Sequence, residues 1–150
     1  MLKGLDPRLS ADVLYALRAM GHGDVLVISD TNFPSDSVAR DTVLGELLTM
    51  HNLSAPEAVE AVLSVMPLDT FVDDFAARME VVGKPEEIPA VQKEVQKAID
   101  KAEGRKRKMV SVERFDFYDR ARQAYAVIQT GERRVFGCFP LRQGVIGPDE

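Results

Sequence analysis

The chain has 150 residues, 45% hydrophobic and 29% charged, which suits one domain over residues 1–150 with a core of its own. Its net charge of −5 and isoelectric point near 5.1 argue against general attraction to nucleic acid or anionic membranes. The single cysteine, Cys138, excludes an intrachain disulfide framework and CxxC metal or redox patterns, and favours a reducing compartment.

In chain order, the N-terminal MLKGLDPRLS has no apolar stretch of signal-peptide length, and no later segment approaches the ~20 apolar residues of a membrane span, so a cytoplasmic protein is expected. Leu9, Val13, Leu14, Leu17 and Met20 fall at helical spacing. Ser10 stands where it would cap the helix, and Leu9 can staple onto Leu14. Gly21 and Gly23 are expected to end that helix and turn the chain. Val25 to Ile28 is then a continuous apolar run, the pattern of a strand covered on both faces. LGELLTMHN reads as helical and puts His51 at a helix end. Ser54-Ala-Pro-Glu57 is a capping box opening a helix that Pro67 closes.

Further on, Ala76 to Val82 reads as a strand and Pro89 to Ala102 as a surface helix with Val91, Val95 and Ile99 on one face. The run Arg105-Lys106-Arg107-Lys108 reads as a solvated loop. Asp116 is placed to cap a short helix from Phe117 to about Gln123. A β run from Ala124 to Thr130 turns at Gly131-Glu132 into an extended stretch from Val135 to Ile146, where Pro140 implies an edge or an interruption. Helices alternating with buried strands predict an α/β layer architecture with helices on both faces of the sheet.

The sequence MGHGDVLVISDTNFP holds the first chemical candidates. Asp30, Thr31 and Asn32 fall just beyond the carboxyl end of the predicted strand, where open α/β sheets bind ligands. An Asx-type turn before Pro34 is the structural alternative. His22, between two glycines, is either an accessible acid–base group or a solvated turn residue. GHGD does not fit a dinucleotide-binding GxGxxG, and there is no GxxxxGK[ST] phosphate cradle. HxxxH, HExxH and GxSxG are absent too, so no zinc-helix or serine-hydrolase pattern stands, and Cys138 reads as a buried thiol.

Three segments together, MLKGLDP, MGHGD with its buried run and SDTNFP, and RFDFYDRARQAYAVIQTGE, resemble the family of D-ribose pyranase and L-fucose mutarotase, the RbsD/FucU family. The likeness runs from Met1 to about Ile146, and RFDFYDRA and VIQTGE stand closer to the fucose branch. It implies a single-domain layered α/β/α fold and an isomerase that interconverts sugar anomers without cofactor or metal. It also implies a homo-oligomer, often a decamer, with sites near subunit contacts and a monosaccharide as substrate. By this resemblance His22 matches the proton donor, Asp30 a sugar-binding carboxylate and Arg114 a sugar-binding arginine.

Where the family reads Tyr-Gly-Asn after its TGE turn, this chain has Phe136-Gly137-Cys138 in the substrate-binding positions. A phenolic hydroxyl and an amide are thereby lost, and Phe136 would suit a sugar's deoxy carbon or apolar face instead. Tyr118 is either a replacement hydroxyl or a packing residue. L-fucose is the leading substrate, with D-ribose or a non-catalytic sugar-binding or transport-associated role as alternatives. A fully extended path from His22 to Asp30 would span about 26 Å, more than one monosaccharide can bridge. Either the glycine turn shortens that path or the residues meet across a subunit boundary.

Overall fold

A computed structural model describes residues 1–150. The chain runs through α1 (Ala11–Ala19), β1 (Val25–Ser29), α2 (Ser35–Ala39), β2 (Leu48–Met50), α3 (Ala55–Leu63) and β3 (Ala77–Met79). It continues through α4 (Ala90–Glu103), β4 (Val110–Val112), α5 (Arg114–Arg122), β5 (Ala126–Thr130) and β6 (Phe139–Arg142). Ser10 accepts the Val13 N–H at 3.3 Å to start α1, and the expected capping box of Ser54 and Glu57, with Pro56 in the first turn, starts α3. Caps of this kind stabilise a helix by about 1 kcal/mol each. Gly23 turns the chain at φ 87°, whereas Gly21 keeps out of the left-handed region.

The central sheet has the order β2-β5-β1-β6. β1 and β2 both run parallel to β5, and β6 returns antiparallel to β1. Alternation along the strands divides the core between two faces. Leu26, Ile28 and Ile128 join the buried faces of α1, α3 and α4, while Val27 and Val127 join Val38 of α2 and Phe117 and Ala121 of α5. The result is the α/β/α layering read from the sequence. A two-stranded parallel pair, β3 and β4, continues past β6 through an Ala76–Leu141 bridge. No helix is long and apolar enough to cross a membrane.

Several boundaries differ from the sequence reading. LGELLTMHN is not a helix. Its Leu48 and Met50 are buried with Thr49 exposed between them, a strand alternation fixed by parallel pairing with Ile128 and Thr130, and His51 follows in a turn. α5 starts at Arg114 because Glu113 caps it, accepting the N–H groups of Phe115 and Asp116 at 2.9 and 3.2 Å. Asp116 instead pairs with Arg120 at 3.0 Å. The predicted strand from Ala76 to Val82 is limited to β3. Pro140 lies opposite Val27 in β6, at the end of the four-stranded order, where its missing N–H costs that sheet no bond.

The basic run is not uniformly solvated. The Arg107 side chain is 13% exposed, its guanidinium lies 3.5 Å over the Phe75 ring, and it pairs with Glu103 at 3.2 Å.

Candidate active site

The carboxyl end of β1 opens onto a cleft of about 260 Å³ whose lining includes Asp30, Asn32, Arg114, Tyr118, Phe136 and Cys138. Four of the five residues singled out from the sequence therefore converge here. Asp30 arrives directly from β1, Arg114 from the first turn of α5, and Phe136 and Cys138 from the loop between β5 and β6.

Asp30 is buried and extensively bonded. Its Oδ1 accepts the N–H groups of Asn32 and Phe33 at 2.9 and 3.0 Å, and its Oδ2 accepts the Gly137 N–H at 3.0 Å. The Asx turn weighed from the sequence is thus present. Three donors leave a carboxylate roughly one of its about four lone-pair directions for a ligand hydroxyl. Beside it Cys138 is buried, and burial, reinforced by the Asp30 charge, pushes its thiol well above the ordinary range. A protonated buried thiol is a packing group rather than a nucleophile.

Phe136 stands at φ 61°, the one non-glycine residue in the left-handed region. An aromatic side chain held there costs on the order of 1–3 kcal/mol, so its surroundings must over-determine it. Gln92, buried on α4, donates to the Phe136 carbonyl at 3.1 Å and to that of Met79 at 2.7 Å. A Cβ at Gly137 would be crowded, standing 3.0 Å from the Glu132 side chain and 3.3 Å from that of Asp30.

Glu132 anchors the same loop from beneath. It accepts from Ala55 N–H at 3.2 Å and from Arg134 at 2.9 Å, and Arg134 in turn forks onto Glu94 at 2.9 Å. The Arg134 guanidinium lowers the Glu132 carboxyl to about 2, against the opposing effect of burial. Arg114, by contrast, is exposed, forms no salt bridge, and lies 5.7 Å from the Tyr118 ring. Tyr118 stacks on Phe33 at 5.2 Å, so it packs and lines the cleft at once. A free guanidinium fork over an aromatic wall can donate to sugar hydroxyls.

His22 is not in this cleft. It precedes β1, and β1 alone spans roughly 17 Å at about 3.3 Å per residue. Its imidazole is 46% exposed, with Nε2 3.0 Å from Oδ2 of Asp69 and the ring edge-on to Phe71 at 5.5 Å. No group of three or more His, Cys, Asp or Glu side chains is arranged to hold a metal ion.

Sequence reasoning missed Asp69, Gln92, Glu132 and Arg134 as parts of these two constellations. Glu132 alone carried a signal, as the last residue of the TGE turn.

The family model for the RbsD / FucU transport protein family matches residues 3–146. The chain belongs to this family. Among RbsD/FucU relatives, human fucose mutarotase is 40% identical over 148 residues, covering 97% of this chain and 94% of the relative. The solved structure of protein Atu2016 is 60% identical with a TM-score of 0.96, covering 98% of this chain and 97% of that one. The fucose mutarotase of Streptococcus pneumoniae, solved in complex with L-fucose, is 33% identical with a TM-score of 0.86, covering 97% of this chain and all 100% of its counterpart.

Proposed function

We propose that this RbsD/FucU chain is a sugar mutarotase that interconverts the anomers of a monosaccharide, L-fucose foremost, with one domain over residues 1–150 as the unit of function. One observation carries the reading: Asp30, Arg114, Phe136 and Cys138 line a single cleft in a chain that matches fucose mutarotases almost end to end. A cytoplasmic setting suits the lone buried thiol of Cys138.

The chemistry asks little of a protein beyond proton transfer. Opening a cyclic hemiacetal breaks the bond between the anomeric carbon and the ring oxygen. The anomeric hydroxyl gives up its proton to become a carbonyl oxygen, and the ring oxygen gains one. Reclosure on the opposite face of the carbonyl yields the other anomer. His22 is the acid–base group in this reading, because imidazole serves both directions near neutrality. Arg114 and the remaining acceptor direction of Asp30 grip hydroxyls, and Phe136 covers an apolar face or the deoxy carbon.

Because β1 separates His22 from the cleft, a working site is made where the His22 end of one copy meets the Asp30 cleft of another. Exposed apolar side chains stand at both regions: Phe71 beside His22, and Val82 and Val135 at the cleft. Such head-to-tail contacts close into rings where the rotation allows, and a decamer is the assembly the family resemblance implies.

The rival reading, a monosaccharide-binding protein with little turnover, draws on the same cleft. Asp30 is largely committed to backbone N–H groups, and Phe136 and Cys138 bring no polar group for a sugar. Exchange NMR on the anomeric protons of L-fucose, D-ribose and other aldoses separates the two. A mutarotase accelerates exchange for one sugar, and His22→Ala lowers that rate by about 10² to 10⁴ while the sugar still binds. Binding with no acceleration by the unaltered protein would leave the binding-protein reading.

A further inference from the structure

The segment after α3 holds a buried carboxylate that the sugar-exchange reading does not yet use. Asp69 has a side chain only 3% exposed, and its Oδ2 faces Nε2 of His22 at 3.0 Å. Its other oxygen accepts the Phe71 N–H at 2.9 Å, and its backbone N–H donates to the Arg142 carbonyl at 3.0 Å. Arg107, from the basic run after α4, donates to the carbonyls of Asp69 and Val72 at 2.9 and 3.2 Å. The opposite side of the segment is closed by Gly144, whose N–H donates to the Pro67 carbonyl at 2.8 Å and where a Cβ would collide with the Leu68 carbonyl. The carboxylate is therefore held on both sides, while the ring it meets is 46% exposed.

An ionised carboxylate only accepts hydrogen bonds, so the nitrogen facing it must carry the proton. We propose that Asp69, in a segment pinned by Arg107, is the positioning residue that fixes His22 as its Nε2–H tautomer and leaves Nδ1 as the proton-transfer atom. This rests on His22 being the acid–base group. In the step it implies, Nδ1 takes the proton from the anomeric hydroxyl as the ring bond breaks, and the imidazolium, facing Asp69, gives that proton to the ring oxygen. Atoms and charge balance within the sugar and one imidazole. In this role Asp69 acts through the ring rather than on the sugar.

Nitrogen-15 NMR of histidine-labelled protein reads the tautomer directly, with His22→Ala separating the His22 signals from those of His51, the other histidine. The unaltered protein should show a single neutral tautomer, with pyrrole-like Nε2 and pyridine-like Nδ1. Asp69→Asn should give a tautomer mixture, and its kcat for anomer exchange should fall by roughly 10² or more with KM within about twofold, as when a histidine loses its orienting carboxylate. A substantial Nδ1–H population in the unaltered protein would overturn the proposal, as would an Asp69→Asn kcat within about twofold of the original. The tautomer measurement needs no variant that must fold. Undiminished exchange in His22→Ala would instead overturn the acid–base role, leaving the tautomer to decide the positioning, so the two failures are distinguishable.

Discussion

Phe136 shows how one side chain can be forced on a backbone that does not favour it. Its φ of 61° is held by Gln92 on its carbonyl and by Asp30 on the next N–H, so the ring's direction is set by the loop rather than by its own preference. A tyrosine inherits that direction and adds a hydroxyl at the cleft. Phe136→Tyr should therefore tighten sugar binding about five- to tenfold, near 1 kcal/mol, as a restored hydrogen bond would. Titration of L-fucose followed by NMR checks this, and an unchanged affinity would mean the hydroxyl does not reach the sugar. Cys138 offers less scope, because it is buried and an added amide would need partners that the packing does not supply.

At the scale of elements, Glu132 is the joint between the start of α3, the turn after β5 and, through Arg134, the flank of α4. Its carboxyl is lowered from an ordinary 4.5 to about 2. The folded form therefore holds its proton less tightly than the unfolded form. The resulting stabilisation, up to about 3 kcal/mol, is fully present above pH ~4.5 and is lost as pH falls towards ~2. Glu132→Gln should lower stability near neutrality by that order and flatten its decline between those pH values, read from urea midpoints at each pH. A variant whose midpoint tracks the original at every pH would contradict this role.

Much of this level was legible in the sequence. The Ser10 and Ser54 caps, the apolar run of β1 and the helical face of α4 each declare themselves within a few residues. β2 did not, because three residues cannot distinguish a period of 2 from one of 3.6, and its strand form depends on an edge that β5 supplies from far along the chain. The start of α5 is ambiguous in the sequence because Glu113 and Asp116 both suit a cap, and only the competing pair with Arg120 assigns Asp116 elsewhere. The cleft residues were found through family motifs. Asp69 and Gln92 were not, since a single polar residue becomes informative only when the fold shows it buried and what it faces.

Across the whole molecule, the decisive feature is that one strand separates the two candidate constellations. The His22–Asp69 pair stands at the amino end of β1, while the Asp30 cleft stands at its carboxyl end. In the proposed reading each end supplies what the other lacks: a proton-transfer group without a sugar grip, and a sugar grip without a free acid–base group. A site joined between copies reconciles the spacing. The most direct measurement is anomeric exchange of L-fucose by His22→Ala, by Arg114→Ala, and by the two variants coexpressed. A shared site gives two nearly inactive proteins whose equal mixture regains about a quarter of the original rate, the fraction of head-to-tail contacts that pair intact His22 with intact Arg114. A mixture no more active than its components would place His22 and Arg114 in separate functions, or in one chain's own site, and contradict the shared-site reading.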